Sequence, residues 1–252
     1  ELNWNGFGVA TFDWRGQGGS DRLINDPFKG YVRDFQDYAN DLEQFFTEIV
    51  LPDCKGPYFI LAHSTGALIA LLAAPSLLNR VQRMVFCAPL LELSEKAISP
   101  RTIRFISAIL RYSGFGSRYM VGGSRPRETQ PFIGNKLTSD PGRYRRNSAL
   151  YEQHPLLGLG GPTVTWVNAA CRAMEAVTDP EFQANIQIPI LIIAAGNDQV
   201  VSTPAIESYV QGLRSGSLLT IDGAKHEIMQ ERDALREQFM AAFFAFVPGS
   251  AV

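Results

Sequence analysis

Two hydrophobic patterns take turns along this chain. Short unbroken apolar blocks, such as Tyr58 to Ala62, Met84 to Ala88 and Ile190 to Ala195, have the length and composition of strands buried on both faces. Between them lie longer stretches whose apolar residues recur every three or four positions. From Asp34 to Ile49, the residues Phe35, Tyr38, Leu42, Phe45, Phe46 and Ile49 predict one face of an amphipathic helix, with Asp34, Asp37, Asp41, Glu43 and Glu48 between them. Acids near a helix start suit the helix dipole, so this run needs no metal to explain it. Ala67 to Ala74 is apolar all round, as a buried helix is, with an end expected near Pro75. Thr203 to Leu213 reads as a helix and Ser217 to Ile221 as a strand. The closing helix places Leu235, Phe239, Phe243 and Phe246 on one face. Phe7 to Asp13 is another apolar run of strand length. Strands alternating with crossover helices predict an α/β architecture, a mostly parallel sheet with helices on both faces.

The alternation stops between Ser94 and Asp179. There the helical stretches Thr102 to Arg111 and Val164 to Val177 are separated by loops rich in Gly, Pro and Arg. A chain of 252 residues suits one domain. We therefore expect a core formed by residues 1–93 and 180–252, with residues 94–179 inserted as a helical cap. Charge marks the same division. Of 23 Lys and Arg and 25 Asp and Glu, residues 94–179 hold 12 and 6, a balance of +6, leaving 11 and 19, or −8, elsewhere. The basic segment carries no nucleic-acid-binding motif and the whole chain is slightly acidic, so nucleic acid is not an expected partner.

The chemistry concentrates where strands end. Ala62-His63-Ser64-Thr65-Gly66 joins a strand to a buried helix, with small residues two positions either side of the serine. That is the steric requirement of a nucleophile elbow, in which a sharp turn lifts the hydroxyl above the sheet. The N–H of Thr65, at the helix start, is the expected oxyanion donor. Asp198 follows the strand Ile190 to Ala195, and His226 follows Ser217 to Ile221. The order Ser64, Asp198, His226 is that of α/β-hydrolases and differs from the chymotrypsin and subtilisin orders. In a parallel sheet, loops at strand C-termini share one edge, so the three can converge. Glu92, after the preceding strand, is a substitute acid. His154 precedes Pro155 in the cap and is a weaker candidate base, whereas His63 is expected to support the turn. The glycine-rich loop Gly16-Gln17-Gly18-Gly19-Ser20-Asp21 fails the dinucleotide fingerprint, because Asp21 stands where Gly or Ala belongs. Three scattered histidines and three cysteines without a CxxC pair suggest neither a metal site nor a disulfide framework. Free thiols fit a reducing cytoplasmic setting, and no apolar run is long enough to span a bilayer.

The segments Phe12 to Ser20, Ala62 to Gly66 and Gly223-Ala224-Lys225-His226-Glu227 together resemble the bacterial lysophospholipase and monoacylglycerol lipase group. The resemblance implies an α/β-hydrolase fold with a helical cap and a serine esterase or lipase that needs no cofactor and acts on a single acyl chain. Ser64 would be its nucleophile, His226 its base and Asp198 the orienting acid. Ala62 replaces the group's commoner glycine. The group also has strands and a His-Gly oxyanion loop ahead of the part that begins here at Glu1. The expectation is therefore that residues precede Glu1, that the second oxyanion donor lies among them, and that Val9 to Asp13 is poorly paired without them. The same triad would serve acyl transfer to an alcohol, and the fold alone would serve a non-catalytic ligand-binding protein. Within the cap, Phe105, Ile109, Phe115, Met120, Trp166 and Met174 are the candidate acyl-pocket residues. Arg125, Arg127, Arg143, Arg145 and Arg146 would then face solvent and favour anionic head groups, or transient contact with an anionic membrane surface.

Overall fold

A computed structural model of the chain describes residues 1–94, 100–120 and 131–247. Its centre is a sheet of four parallel strands in sequence order: β1 (Tyr58–His63), β2 (Val81–Cys87), β3 (Ile190–Ala195) and β4 (Gly216–Ile221). Period-two alternation explains the unbroken apolar blocks. Met84, Phe86, Ile190, Ile192 and Ala194 enter one hydrophobic cluster, whereas Val85, Cys87, Leu191, Ile193 and Ala195 enter another on the opposite face.

The first face is covered by α1 (Phe35–Phe45), α3 (Thr65–Leu77), α6 (Val164–Val177) and α8 (Thr203–Gln211), the second by α9 (Asp233–Phe246). A wider turn, Phe46–Val50, and the short α2 (Leu51–Asp53) continue α1. The remaining helices are α4 (Pro100–Leu110), α5 (Pro141–Gln153) and α7 (Pro180–Asn185). Helix α1 starts as its sequence predicts, the Asp34 carboxylate accepting the N–H of Gln36. Helix α3 runs two residues past Pro75, to Leu77.

Two expectations need correction. Phe7 to Asp13 forms no strand, and Val9 is half exposed. A strand exists only as hydrogen bonds to a neighbour, and the four strands of this sheet pair with one another and not with the segment. Nor does α6 stand apart from the core. Its residues Ala169, Ala170, Ala173, Met174 and Val177 share one cluster with α1 and α3, so the chain rejoins the core before Pro180. Helix α4 packs on α6 from outside.

The glycine-rich loop folds around Asp13. Its carboxylate accepts the Gly19 N–H at 2.8 Å, and its carbonyl accepts the Ser20 hydroxyl at 2.6 Å. Gly18 has φ +51°, and a side-chain carbon there would meet that carboxylate at 2.3 Å. Arg15 ties the loop to Asp41 on α1. These glycines serve a tight turn and its internal hydrogen bonds.

Candidate active site

All four strands point the same way, so the loops after β1, β3 and β4 open on one edge. Ser64 follows β1 directly, with φ 51° and ψ −115°. A non-glycine residue in that region is strained, as the sharp turn of a nucleophile elbow requires. The serine N–H is held by the Cys87 carbonyl at 3.0 Å. Serine at a helix N-cap normally accepts an amide with its own hydroxyl, but Ser64 makes no such cap. Its Oγ lies 3.0 Å from His226 Nε2 instead. A side-chain carbon on Gly66 would lie 3.9 Å from the Ala62 methyl. Small residues therefore fit at both flanks, and a long side chain at either would crowd the other.

The far side of the His226 ring completes the relay. Nδ1 is 2.9 Å from Asp198 Oδ2, while Oδ1 accepts the amides of Val200 at 2.7 Å and Val201 at 3.0 Å. The Asp198 and His226 side chains are almost fully buried. Burial alone would raise the Asp198 carboxyl above its ordinary value. The hydrogen bond and charge of His226, with the two amides, outweigh it and hold the group below. A carboxylate on Nδ1 fixes the tautomer that donates there, which leaves Nε2 to accept the Ser64 proton. The amides of Ala67 and Leu68 both donate to the Ser64 carbonyl, whereas the N–H of Thr65 has no acceptor among the described residues. It stands at the positive end of α3, suited to a developing oxyanion. Glu92 is exposed, and its carbonyl accepts the Ser202 amide. Among the described residues no group of three or more His, Cys, Asp or Glu could hold a metal ion.

His63 does more than support the turn. Its Nε2 meets the backbone carbonyl of His226 at 3.1 Å, so the residue before Ser64 also anchors the loop that carries His226. Burial, then the neighbouring His226, push the His63 imidazole down from 6.5 to about 4. Between those values the unfolded chain binds a proton that the folded chain refuses. The stabilisation is therefore complete above pH 6.5 and lost as pH falls through 4, by about 3 kcal/mol at pH 4. Urea unfolding at pH 7 and at pH 4 measures the loss. The His63→Asn variant should lack this part of the acid limb, and an unchanged pH slope would contradict the assignment.

The candidate pocket residues separate. Phe105, Ile109 and Phe115 are 67%, 50% and 50% exposed. Met120 is half-buried. Trp166 packs edge-on against Phe35, with ring centroids 5.2 Å apart, and Met174 lies in the core cluster. Helical spacing marks an apolar stripe but not the neighbour beneath it. Helix α4 turns Ile103 and Ser107 inward and leaves Phe105 and Ile109 outside. The arginines divide as well. Arg145 and Arg146 are exposed, and Arg125 and Arg127 lie outside the described residues. Arg143 does not face solvent freely: it pairs with Asp140 and Asp233 and donates to the Glu231 carbonyl.

A family model described as serine aminopeptidase S33 (Hydrolase_4) matches residues 1–233. The chain belongs to the serine aminopeptidase S33 family. Lysophospholipase L2 of Escherichia coli strain K12 is 32% identical over 248 residues, spanning 96% of this chain and 72% of that protein. Solved structures show the same α/β-hydrolase fold. The monoacylglycerol lipase of Paleococcus ferrophilus aligns with a TM-score of 0.71 at 21% identity, covering 96% of this chain and 83% of that one. A soluble variant of Saccharomyces cerevisiae monoglyceride lipase, in complex with a substrate analog, aligns with a TM-score of 0.71 at 18% identity, covering 95% and 76%. In this S33 family member the serine, histidine and aspartate stand in hydrogen-bonded sequence at the C-terminal edge of the sheet.

Proposed function

We propose that this chain hydrolyses lipid esters bearing a single acyl chain, of the lysophospholipid or monoacylglycerol type, through an acyl-enzyme on Ser64. It is a carboxylic ester hydrolase. The observation that carries the mechanism is the continuous relay from Ser64 Oγ through His226 to Asp198. Ser64 attacks the ester carbonyl as His226 Nε2 takes its proton, and the Thr65 amide meets the oxyanion. His226 returns the proton to the leaving alcohol. Water, deprotonated by the same nitrogen, then releases the acid and restores the serine. The named activities of the bacterial and archaeal relatives support the choice of substrate class.

A panel of lysophosphatidylcholine, monoacylglycerol, diacyl phospholipid and a short soluble ester tests the reading. Fatty acid should leave the first two fastest. Acyl appearing on an added alcohol in preference to water would make the chain a transferase, and no release from any ester would refute hydrolysis.

The exposed stripe Phe105, Ile109 and Tyr112 on and just after α4, accompanied by exposed Arg101 and Arg118, belongs to the same proposal. Among the described residues no helix is long and apolar enough to cross a membrane. A basic amphipathic surface instead suits transient contact with an anionic lipid surface that presents the substrate, each exposed basic residue contributing about 1 kcal/mol there. Raising salt from 50 to 500 mM, a range chosen to shorten the Debye length severalfold, should lower turnover on anionic vesicles and leave a neutral soluble ester unaffected. Equal responses would remove the basic surface from substrate choice.

A further inference from the structure

The backbone around His226 is held from three directions. The His226 carbonyl meets His63 Nε2 at 3.1 Å, the Lys225 amide donates to Glu231 Oε1 at 2.9 Å, and the Glu227 amide donates to the Leu137 carbonyl at 2.8 Å. Glu231 is the unusual member. It is fully buried, lies outside the catalytic relay, and gathers donors from two separate stretches of chain. While Oε1 takes the Lys225 amide, Oε2 accepts the amides of Ser139 at 3.0 Å and Arg232 at 3.2 Å, together with the Ser139 hydroxyl.

A buried carboxylate is costly to desolvate unless donors surround it. Four donors surround this one, and three are main-chain amides, which cannot rotate away. A glutamine has one acceptor oxygen, and its NH2 group would confront an amide donor whichever way it turned. The position therefore requires a carboxylate, and that carboxylate spans from the residue before the base to Ser139. Two more bonds join the same stretches: Lys225 Nζ to the Asn135 carbonyl at 2.9 Å, and the Thr138 hydroxyl to the Gln230 carbonyl at 2.7 Å.

We propose that Glu231 is a positioning residue for His226, and that through it residues 135–140 and the general base form one mechanical unit. The Glu231 carboxylate is bonded to Lys225, Ser139 and Arg232 and not to Ser64 or the His226 ring, so it acts through the main chain. Its bond falls on the residue adjacent to the base, so losing it moves Nε2 relative to Ser64 Oγ. A displacement near 1 Å in such a geometry lowers turnover by up to about 10²-fold. The inference rests on the acyl-enzyme reading and adds a connection from the inserted segment to the triad.

The test compares wild type, Glu231→Gln and Ser139→Ala. A fluorophosphonate first titrates the reactive serine in each, so that kcat on a short soluble ester is expressed per titrated site. A purely structural role lowers the titratable fraction or the melting temperature and leaves kcat per site unchanged. Positioning lowers kcat per site, by about 10- to 100-fold in Glu231→Gln and less in Ser139→Ala. KM should stay within about twofold, and the labelling rate should fall in step with kcat because labelling uses the same base. Wild-type kcat per site in Glu231→Gln overturns the proposal. If that variant does not fold, wild-type kcat per site in Ser139→Ala overturns it instead. A wild-type chain that the reagent does not label at Ser64 refutes the acyl-enzyme reading, and this inference with it. A labelled wild type with unchanged variants refutes the positioning role alone.

Discussion

Replacing Ser64 with alanine should lower ester hydrolysis on the order of 10⁶-fold while the protein still folds. Both halves follow from the geometry. The hydroxyl spends its one side-chain hydrogen bond on His226 and caps nothing, so its removal leaves α3, the Cys87 contact and the sheet in place. Alanine also inherits the φ of 51° with the same Cβ, so the strain of the elbow is unchanged. Melting within a few degrees of wild type, with turnover at background, is the expected pair of results. A variant that unfolds would make Ser64 a structural residue. One that keeps its turnover would require another nucleophile.

Asp198→Asn should keep the fold and lose about 10⁴-fold in kcat. The asparagine oxygen can still accept the amides of Val200 and Val201, so the loop after β3 stays closed. Its NH2 then faces His226 Nδ1 and imposes the opposite tautomer, with the proton on Nε2 aimed at Ser64. Such a ring cannot take the serine proton. Assays on a short soluble ester separate this from lipid binding. A loss below about tenfold would show that another group orients the ring. Glu92 is exposed, and the His226 ring is bonded to Asp198 and Ser64 and not to it.

How much of this was legible in the chain depends on how local each signal is. β3 could be read from Ile190 to Ala195 because both faces of a central parallel strand are buried, which makes every position apolar. The sharp turn was legible because it restricts the residues beside Ser64, and the convergence of Ser64, Asp198 and His226 because strand direction sends three post-strand loops to one edge. Phe7 to Asp13 has strand composition, yet a strand is decided by a neighbour that composition does not describe. The stripe on α4 was visible as a period, but which side faced α6 was not, so Phe105 and Ile109 lie outside and Met174 lies in the core. Arg143 and Glu231 depended most on tertiary structure. Each looks like an ordinary surface charge in sequence, and each is committed to partners about 90 residues away, Arg143 to Asp233 and Glu231 to Ser139. Local pattern therefore determined the four strands of the sheet and the order in which Ser64, Asp198 and His226 reach its edge. The partners of Glu231 and Arg143 were decided by long-range hydrogen bonds, because burying a charge depends on where distant donors arrive once the chain has folded.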